Sequence, residues 1–189
     1  MESKPCDCGC GRVWDRREML AGFACVGVGS AVAAAAPAHA EAILQPVRTQ
    51  DDAFMRLALD EAANGDLPFG AVIVLGGKVV ARGRNIGDKT NDPTAHGEMT
   101  AIRRFIADRP AADLQGATLY TTGEPCPMCM GAILWCGFAR LVYAASIAEL
   151  ETRIGQIMLT SRAIAGAAPF AHIEITGGVL AKEALALFR

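Results

Sequence analysis

Two short segments, His96-Gly97-Glu98 and, about thirty residues downstream, Pro125-Cys126-Pro127-Met128-Cys129, restrict the fold of this chain more than any other feature. One imidazole and two thiols are soft ligands for zinc, and they serve one ion only if the fold brings the two segments together. A structural zinc is closed by four protein ligands, whereas a catalytic one keeps three and leaves a position to water. His96, Cys126 and Cys129 supply three and a fourth is missing, so the pattern predicts a catalytic site for one Zn2+. Glu98, two residues from His96, is the carboxylate left over for proton transfer.

Local sequence places these residues on helix ends. Cys126 precedes Pro127, which disfavours helical geometry at Cys126 and presets the first helical turn. Cys126 is therefore expected to cap a helix over 127–136 that Gly137 closes, with Cys129 one turn in. Helical spacing also marks Asp51 to Ala63, ended by Asn64-Gly65, and Thr94 to Ala107, with Pro110 beyond it. Ala71 to Leu75 and Val79 to Arg84 flank Gly76-Gly77 and read as a hairpin. Thr118 to Thr121 and Arg140 to Ala144 read as strands, and strand-helix alternation gives an α/β layered sheet. Two helix N-termini at the site place partial positive charge beside the thiolates.

The paired segments match the His-x-Glu and Pro-Cys-x-x-Cys signature of zinc deaminases, and the chain resembles the cytidine-deaminase superfamily. The likeness spans residues 51 to 145, through Asp51-Asp52-Ala53-Phe54-Met55, Leu67-Pro68-Phe69-Gly70-Ala71-Val72, Asp92-Pro93-Thr94-Ala95-His96 and Leu141-Val142-Tyr143-Ala144-Ala145. Over that range it looks like bacterial guanine deaminases and tRNA adenosine deaminases. The last forty or so residues match neither subfamily.

The resemblance implies a three-layer α/β/α fold with a central mixed five-stranded sheet. It implies hydrolytic deamination of a cyclic amidine in a free nucleobase or nucleoside, and a homodimer whose sites are finished by the neighbouring subunit. Glu98 would take a proton from the metal-activated water and return protons to the ring nitrogen and the departing ammonia. Asn85 resembles an asparagine that contacts substrate in both subfamilies, and the backbone near Ala71 and Pro125 would orient the base. Phe69 and Trp135 sit where guanine deaminases carry Pro-Phe-Gly and an aromatic after Gly-Ala-Ile, which tilts the reading towards a guanine-type purine. Glu149 falls near a position where guanine deaminases have a proton-transfer aspartate. His-Gly-Glu is also seen in fungal cytosine deaminases, so cytosine and tRNA adenosine stand as alternatives.

Arg16-Arg17 ahead of Met19-Leu20, an Ala- and Gly-rich apolar run to Ala36, and Pro37-Ala38-His39-Ala40 read as a twin-arginine export signal with an Ala-x-Ala cleavage site. Residues 1–40 are then removed, and a deaminase domain of residues 41–189 starts near Glu41 in the periplasm. The small and polar interruptions of the apolar run disfavour a membrane anchor, so no membrane is expected in the mature form. Export of a folded chain lets zinc reach Cys126 and Cys129 before disulfide-forming enzymes do.

Of seven cysteines, Cys6, Cys8, Cys10 and Cys25 fall in this leader. Cys126, Cys129 and Cys136 do not make a disulfide framework. The Cys6-Asp7-Cys8-Gly9-Cys10 cluster is read as leader without a metal. A length of 189 residues, 52% of them hydrophobic, suits one packed domain. The net charge of −2 offers no basic excess to neutralise phosphates, which disfavours a large RNA and leaves a small nucleobase or nucleoside as the partner.

Other readings of the same residues exist. Cys126 and Cys129 suit a thiol redox pair at a helix start, and Glu98 suits a helix first turn. Cys136 is by default a core thiol, and His172 a surface histidine. Met130 to Trp135 and Val179 to Phe188 are apolar enough to face a partner or the core. From other classes, a non-catalytic zinc module would be expected to lose Glu98, and a thiol oxidoreductase would hold no zinc.

Overall fold

The computed structural model describes residues 43–188, so the leader expected at 1–40, with Cys6, Cys8, Cys10 and Cys25, lies outside the described residues. In chain order the elements are β1 (Ile43–Leu44), α1 (Asp51–Ala62), β2 (Gly70–Leu75), β3 (Lys78–Arg84), α2 (Gly87–Thr90) and α3 (Gly97–Asp108). After a short 3-10 turn come β4 (Thr118–Gly123), α4 (Pro127–Trp135), β5 (Arg140–Ala145), α5 (Ile147–Glu151), α6 (Ser161–Gly166), β6 (Glu174–Thr176) and α7 (Ala181–Leu185).

The β2-β3 hairpin turns at Gly76 and Gly77, whose φ values of 56° and 74° are open to glycine without strain. α3 begins at Gly97, three residues after the expected start. The Asp92 side chain accepts the Thr94 N–H at 2.8 Å and the Thr94 hydroxyl at 2.6 Å, which holds this segment in a turn. Beyond Ala145 the structure adds α5, α6, β6 and α7, each six residues or fewer.

The expected five-stranded mixed sheet is present as β6-β5-β4-β2-β3, and two-residue β1 extends its β6 edge. β2 pairs antiparallel with both β3 and β4, whereas β4-β5 and β5-β6 are parallel. This register gathers four strand ends at one edge. Gly70 at the start of β2 lies opposite Arg84 at the end of β3, Ala71 pairs with Thr121 near the end of β4, and Gly123 pairs with Ala145 at the end of β5. Phe69, Asn85, Glu124 and Ser146 each lie one residue beyond those ends.

Alternation along the strands builds three layers. Ala71 and Ile73 of β2, with Leu119 and Leu141, join a core with Phe105 of α3 and Ile133 of α4, against which α6 also packs. Val72 and Val74, with Tyr120 and Val142, face a second core with Met55 of α1 and Ala184 of α7. The apolar tail is thus used inside the chain: Val179 is buried in this second core, and Phe188 meets Phe69 edge-on at 5.3 Å between ring centroids. Among the described residues no helix is long and apolar enough to cross a membrane.

Layer spacing depends on glycine at one crossing. A Cβ on Gly83 of β3 would lie 2.2 Å from the Gly97 carbonyl oxygen and 2.3 Å from the Ala101 nitrogen, so α3 rests directly on the strand backbone.

At the opposite end of β5 a buried ion pair ties the helical layer to the sheet. Asp51 is 0% exposed and Arg140 3%. Arg140 donates from Nη1 to Asp51 Oδ1 at 2.7 Å and from Nη2 to Asp51 Oδ2 at 2.8 Å, and Nη2 also reaches Thr176 Oγ1 at 2.8 Å. Tyr120 Oη donates to Asp51 Oδ1 at 3.0 Å. Burial pushes the Asp51 carboxyl up, but the bonds from Arg140, the Arg48 N–H and Tyr120 outweigh it and hold the group below its ordinary value.

Removing one member strands the other charge in the core, which typically costs about 3–5 kcal/mol. Asp51→Asn is therefore expected to lower the unfolding free energy by about that amount in urea titrations near neutral pH. Because the folded carboxyl is held low, its contribution is complete above the unfolded value of about 3.9 and is lost as pH falls through the folded value. The gap between wild type and Asp51→Asn therefore narrows on acidification, and a gap that widens contradicts the assignment.

Candidate metal centre and active site

Two helix starts meet at the sheet edge described above. His96 caps α3 with φ −66° and ψ 162°, and Cys126 caps α4 with φ −63° and ψ 166°. Both are in the extended conformation of an N-cap, yet neither side chain bonds its own helix. Both side chains turn to each other: His96 Nδ1 lies 3.7 Å from Cys126 Sγ and 3.6 Å from Cys129 Sγ. Pro127 at the first helical position fixes the turn that brings Cys129 beside Cys126.

These distances fit a tetrahedral ion. Bonds of about 2.3 Å to sulfur and about 2.0–2.1 Å to nitrogen at the tetrahedral angle separate the two ligand atoms by about 3.6 Å. All three ligand atoms lie within 4.8 Å of one another, and among the described residues this is the His, Cys, Asp or Glu group so arranged. The set fits one Zn2+ through Nδ1 and two sulfurs. His172 is exposed in the loop before β6 and belongs to no such group.

The electrostatics of the group suit a cation. The Cys129 thiol bonds Cys126 and, together with His96, holds Cys126 down to about 4 despite burial. The same contact pushes Cys129 up, aided by burial, and a bound cation would displace its proton. Contact with Cys126 raises His96 against the effect of burial. Glu98 is 4% exposed; burial raises its carboxyl, and the Cys126 charge adds to that. A buried carboxyl raised in this way is suited to accept a proton and give it back.

A cavity of about 360 Å³ opens over the group, and His96, Glu98 and Cys126 form its floor together with Phe69 and Asn85. Asn85 is buried, and its Oδ1 accepts the Gly87 N–H at 3.1 Å, which leaves its Nδ2 as the free donor. The other proposed contacts are not among the residues that line the cavity. Ala71 and Pro125 are buried beside the site without lining the cavity. Trp135 stands at the far end of α4, nine residues from Cys126 and so about 13 Å along the axis. It is 78% exposed and stacks on Phe170 with ring centroids 4.5 Å apart. Glu149 is spent on a capping box, its carboxylate accepting the Ser146 N–H at 2.8 Å and the Ser146 hydroxyl at 2.7 Å. Cys136 is half-buried against the first core.

Sequence reasoning missed part of the cavity wall: Glu124, and the Ile154-Gly155-Gln156-Ile157 stretch. Glu124 stands directly before Pro125-Cys126, a signal available in the sequence. The 154–157 stretch carries no motif and no period.

Fold and site together define an α/β/α protein with an open three-ligand zinc centre and a buried carboxylate. The chain belongs to the cytidine and deoxycytidylate deaminase family, whose zinc-binding region matches residues 48–145. It is similar to the guanine deaminase of Bacillus subtilis, with 51% identity over 78 residues, 41% of this chain and 50% of that relative. It is also similar to the tRNA-specific adenosine deaminase of Haemophilus influenzae, with 37% identity over 138 residues, 70% of this chain and 78% of that relative. Among solved structures, a guanine deaminase from Nitrosomonas europaea superposes with a TM-score of 0.64 at 29% identity, covering 80% of this chain and 88% of that one. The chain spans about half the length of the B. subtilis relative and less of several larger ones.

The ligand assignment has a direct check. His96→Ala, Cys126→Ser and Cys129→Ser are each expected to lower metal affinity sharply and leave purified protein short of one zinc per chain, whereas Glu98→Gln retains full zinc. Metal analysis of the four variants decides; zinc loss in Glu98→Gln would make that carboxylate a ligand.

Proposed function

We propose that this chain is a hydrolytic deaminase of a free nucleobase or nucleoside, with a guanine-type purine as its substrate. The observation that carries the reading is Glu98, a buried carboxyl on the floor of a cavity of about 360 Å³ beside three metal ligands. That volume is at the lower end for small-molecule sites and has room for one flat heterocycle. Phe69 and the free donor of Asn85 suit an aromatic ring carrying a hydrogen-bond acceptor. The similarity to guanine deaminases, the absence of a basic excess and the expected export signal all support a small purine over tRNA. We further propose export by the twin-arginine route, which would place the reaction outside the inner membrane, where tRNA is not found.

His96, Cys126 and Cys129 would hold a zinc ion, which would supply the Lewis acidity that makes a water nucleophilic at neutral pH. Asn85 and Phe69 hold the ring with its amine-bearing carbon over the ligand group. Glu98 accepts the proton from the attacking water, delivers it to the adjacent ring nitrogen, and carries the remaining proton of the new hydroxyl to the departing amine. Water and the carbon–nitrogen bond are consumed together, leaving a ring carbonyl and ammonia. The raised Glu98 carboxyl serves both directions of transfer.

Adenosine deamination in tRNA is the second reading, favoured by the long match to the H. influenzae enzyme. Ammonia release by zinc-loaded protein separates the two when measured on guanine, cytosine, adenine, the three nucleosides and tRNA. Release from guanine is expected, with Glu98→Ala lowering kcat/KM by about 10²–10⁴-fold while zinc stays bound. Release from tRNA alone overturns the small-purine reading, and zinc-loaded protein inert on all of them overturns the deaminase reading.

A further inference from the structure

Glu124 leads from the end of β4 into Cys126, and its side chain is buried at 6% exposure. It makes two bonds to distant backbone. Oε2 accepts the Ile147 N–H at 2.9 Å, and Oε1 accepts the Ser161 N–H at 2.8 Å. Ile147 is the first residue of α5 and Ser161 the first of α6. One carboxylate therefore anchors both ends of the chain that runs from α5 to α6.

That chain forms one part of the cavity wall outside helix and strand. Ile154, Gly155, Gln156 and Ile157 line the cavity, and Ile157 is at the same time exposed, as are Met158 and Leu159 after it. Internal bonds are local: the Gln156 N–H donates to Glu151 Oε2 at 2.7 Å, Gln156 Nε2 to the Ile154 carbonyl at 3.2 Å, and the Leu159 N–H to the Ile157 carbonyl at 2.7 Å. Among the described residues, none of the hydrogen bonds of residues 152–160 reaches another sheet strand or any of α1 to α4. α5 and α6 have five and six residues, too few to hold themselves in place without tertiary support. Leu150 and Ala165 bury the two helices in the cores, and Glu124 supplies the hydrogen bonds that fix their first residues and so the span of wall between them.

We propose that Glu124 is the positioning residue of this wall, setting how residues 154–157 close on the substrate without taking part in proton transfer. Its two oxygens are directed to the backbone donors of α5 and α6, and Glu98 keeps the proton-transfer role. The kinetic side of this proposal rests on the deaminase reading; the structural side does not.

Two variants test it from opposite ends. Glu124→Gln keeps the shape but turns one acceptor into a donor, which must then face either the Ile147 or the Ser161 N–H. Ser161→Pro removes the Ser161 donor and leaves Glu124 untouched. Proline suits the first position of a helix, and Thr160, with φ −69° and ψ 153°, already has the conformation a following proline requires. Amide hydrogen exchange, zinc content and steady-state kinetics are measured on zinc-loaded protein. In both variants, exchange across residues 147–163 is expected to quicken by about tenfold or more while α3 keeps its protection and zinc stays at one per chain. KM rises by about tenfold or more with kcat within about threefold of wild type, the pattern of a lost binding surface.

Unchanged exchange in residues 147–163 overturns the proposal. So does a fall in kcat at constant KM, which would put Glu124 in the chemistry, or loss of zinc in Ser161→Pro, which would make the carboxylate a support of the metal group. Where Glu124→Gln does not fold, Ser161→Pro decides alone. Where no base is turned over, the deaminase reading fails and exchange still decides the role of Glu124.

Discussion

The meeting of two helix N-termini at one edge of the sheet is the constraint on which the rest of this structure depends. His96 and Cys126 both occupy N-cap positions, where side chains usually bond their own helix, and both are turned instead towards a common point. The cost of two uncapped helices is offset by what the arrangement allows. The exposed N–H groups and the helix dipoles face a group whose sulfurs carry negative charge, and a zinc ion completes the balance. The close approach of α3 is part of the same constraint. Gly83 lets α3 lie on β3, and a Cβ on Gly97 would be 2.9 Å from the Phe69 carbonyl oxygen, so the short His-Gly-Glu segment sits against the start of β2.

Sheet topology then decides what surrounds the metal group. An antiparallel hairpin beside parallel strands brings the start of β2 and the ends of β3, β4 and β5 to one edge, and the chain just beyond each end supplies a different function. Phe69 gives an aromatic face, Asn85 a donor, Glu124 the hold on the outer wall, and Ser146 the cap of α5. The far end of β5 is fixed by Arg140 and Asp51. The structure is thus pinned at both ends of its parallel strands, by a buried ion pair at one and by ligand geometry at the other. The first is a matter of stability, whereas the second carries the chemistry.

Much of this was legible in the sequence because its signals are local. Proline after Cys126, the Gly76-Gly77 turn and the spacing of His96, Glu98, Cys126 and Cys129 each have a short-range cause, and the resemblance supplied the sheet. Less legible were features set by long-range contacts. Trp135 lies in a motif-rich helix, but the length of α4 carries it away from the cavity to stack on Phe170. Glu149 falls near a position where guanine deaminases have an aspartate, yet Ser146 three residues earlier makes a capping box with it, a pattern readable in the sequence itself. α5, α6, β6 and α7 are shorter than the window in which a period shows. Glu124 reaches 23 and 37 residues along the chain to its partners, a pairing that no spacing rule reports.

X-ray absorption at the zinc edge tests the central claim most directly, since it reads the ligand set without requiring a substrate. Zinc-loaded protein is expected to show two sulfurs at about 2.3 Å and two lighter atoms at about 2.0–2.1 Å, one of them from His96 and the other from solvent. Three or four sulfurs, or a carboxylate oxygen contributed by Glu98, would contradict an open three-ligand centre served by a separate proton carrier.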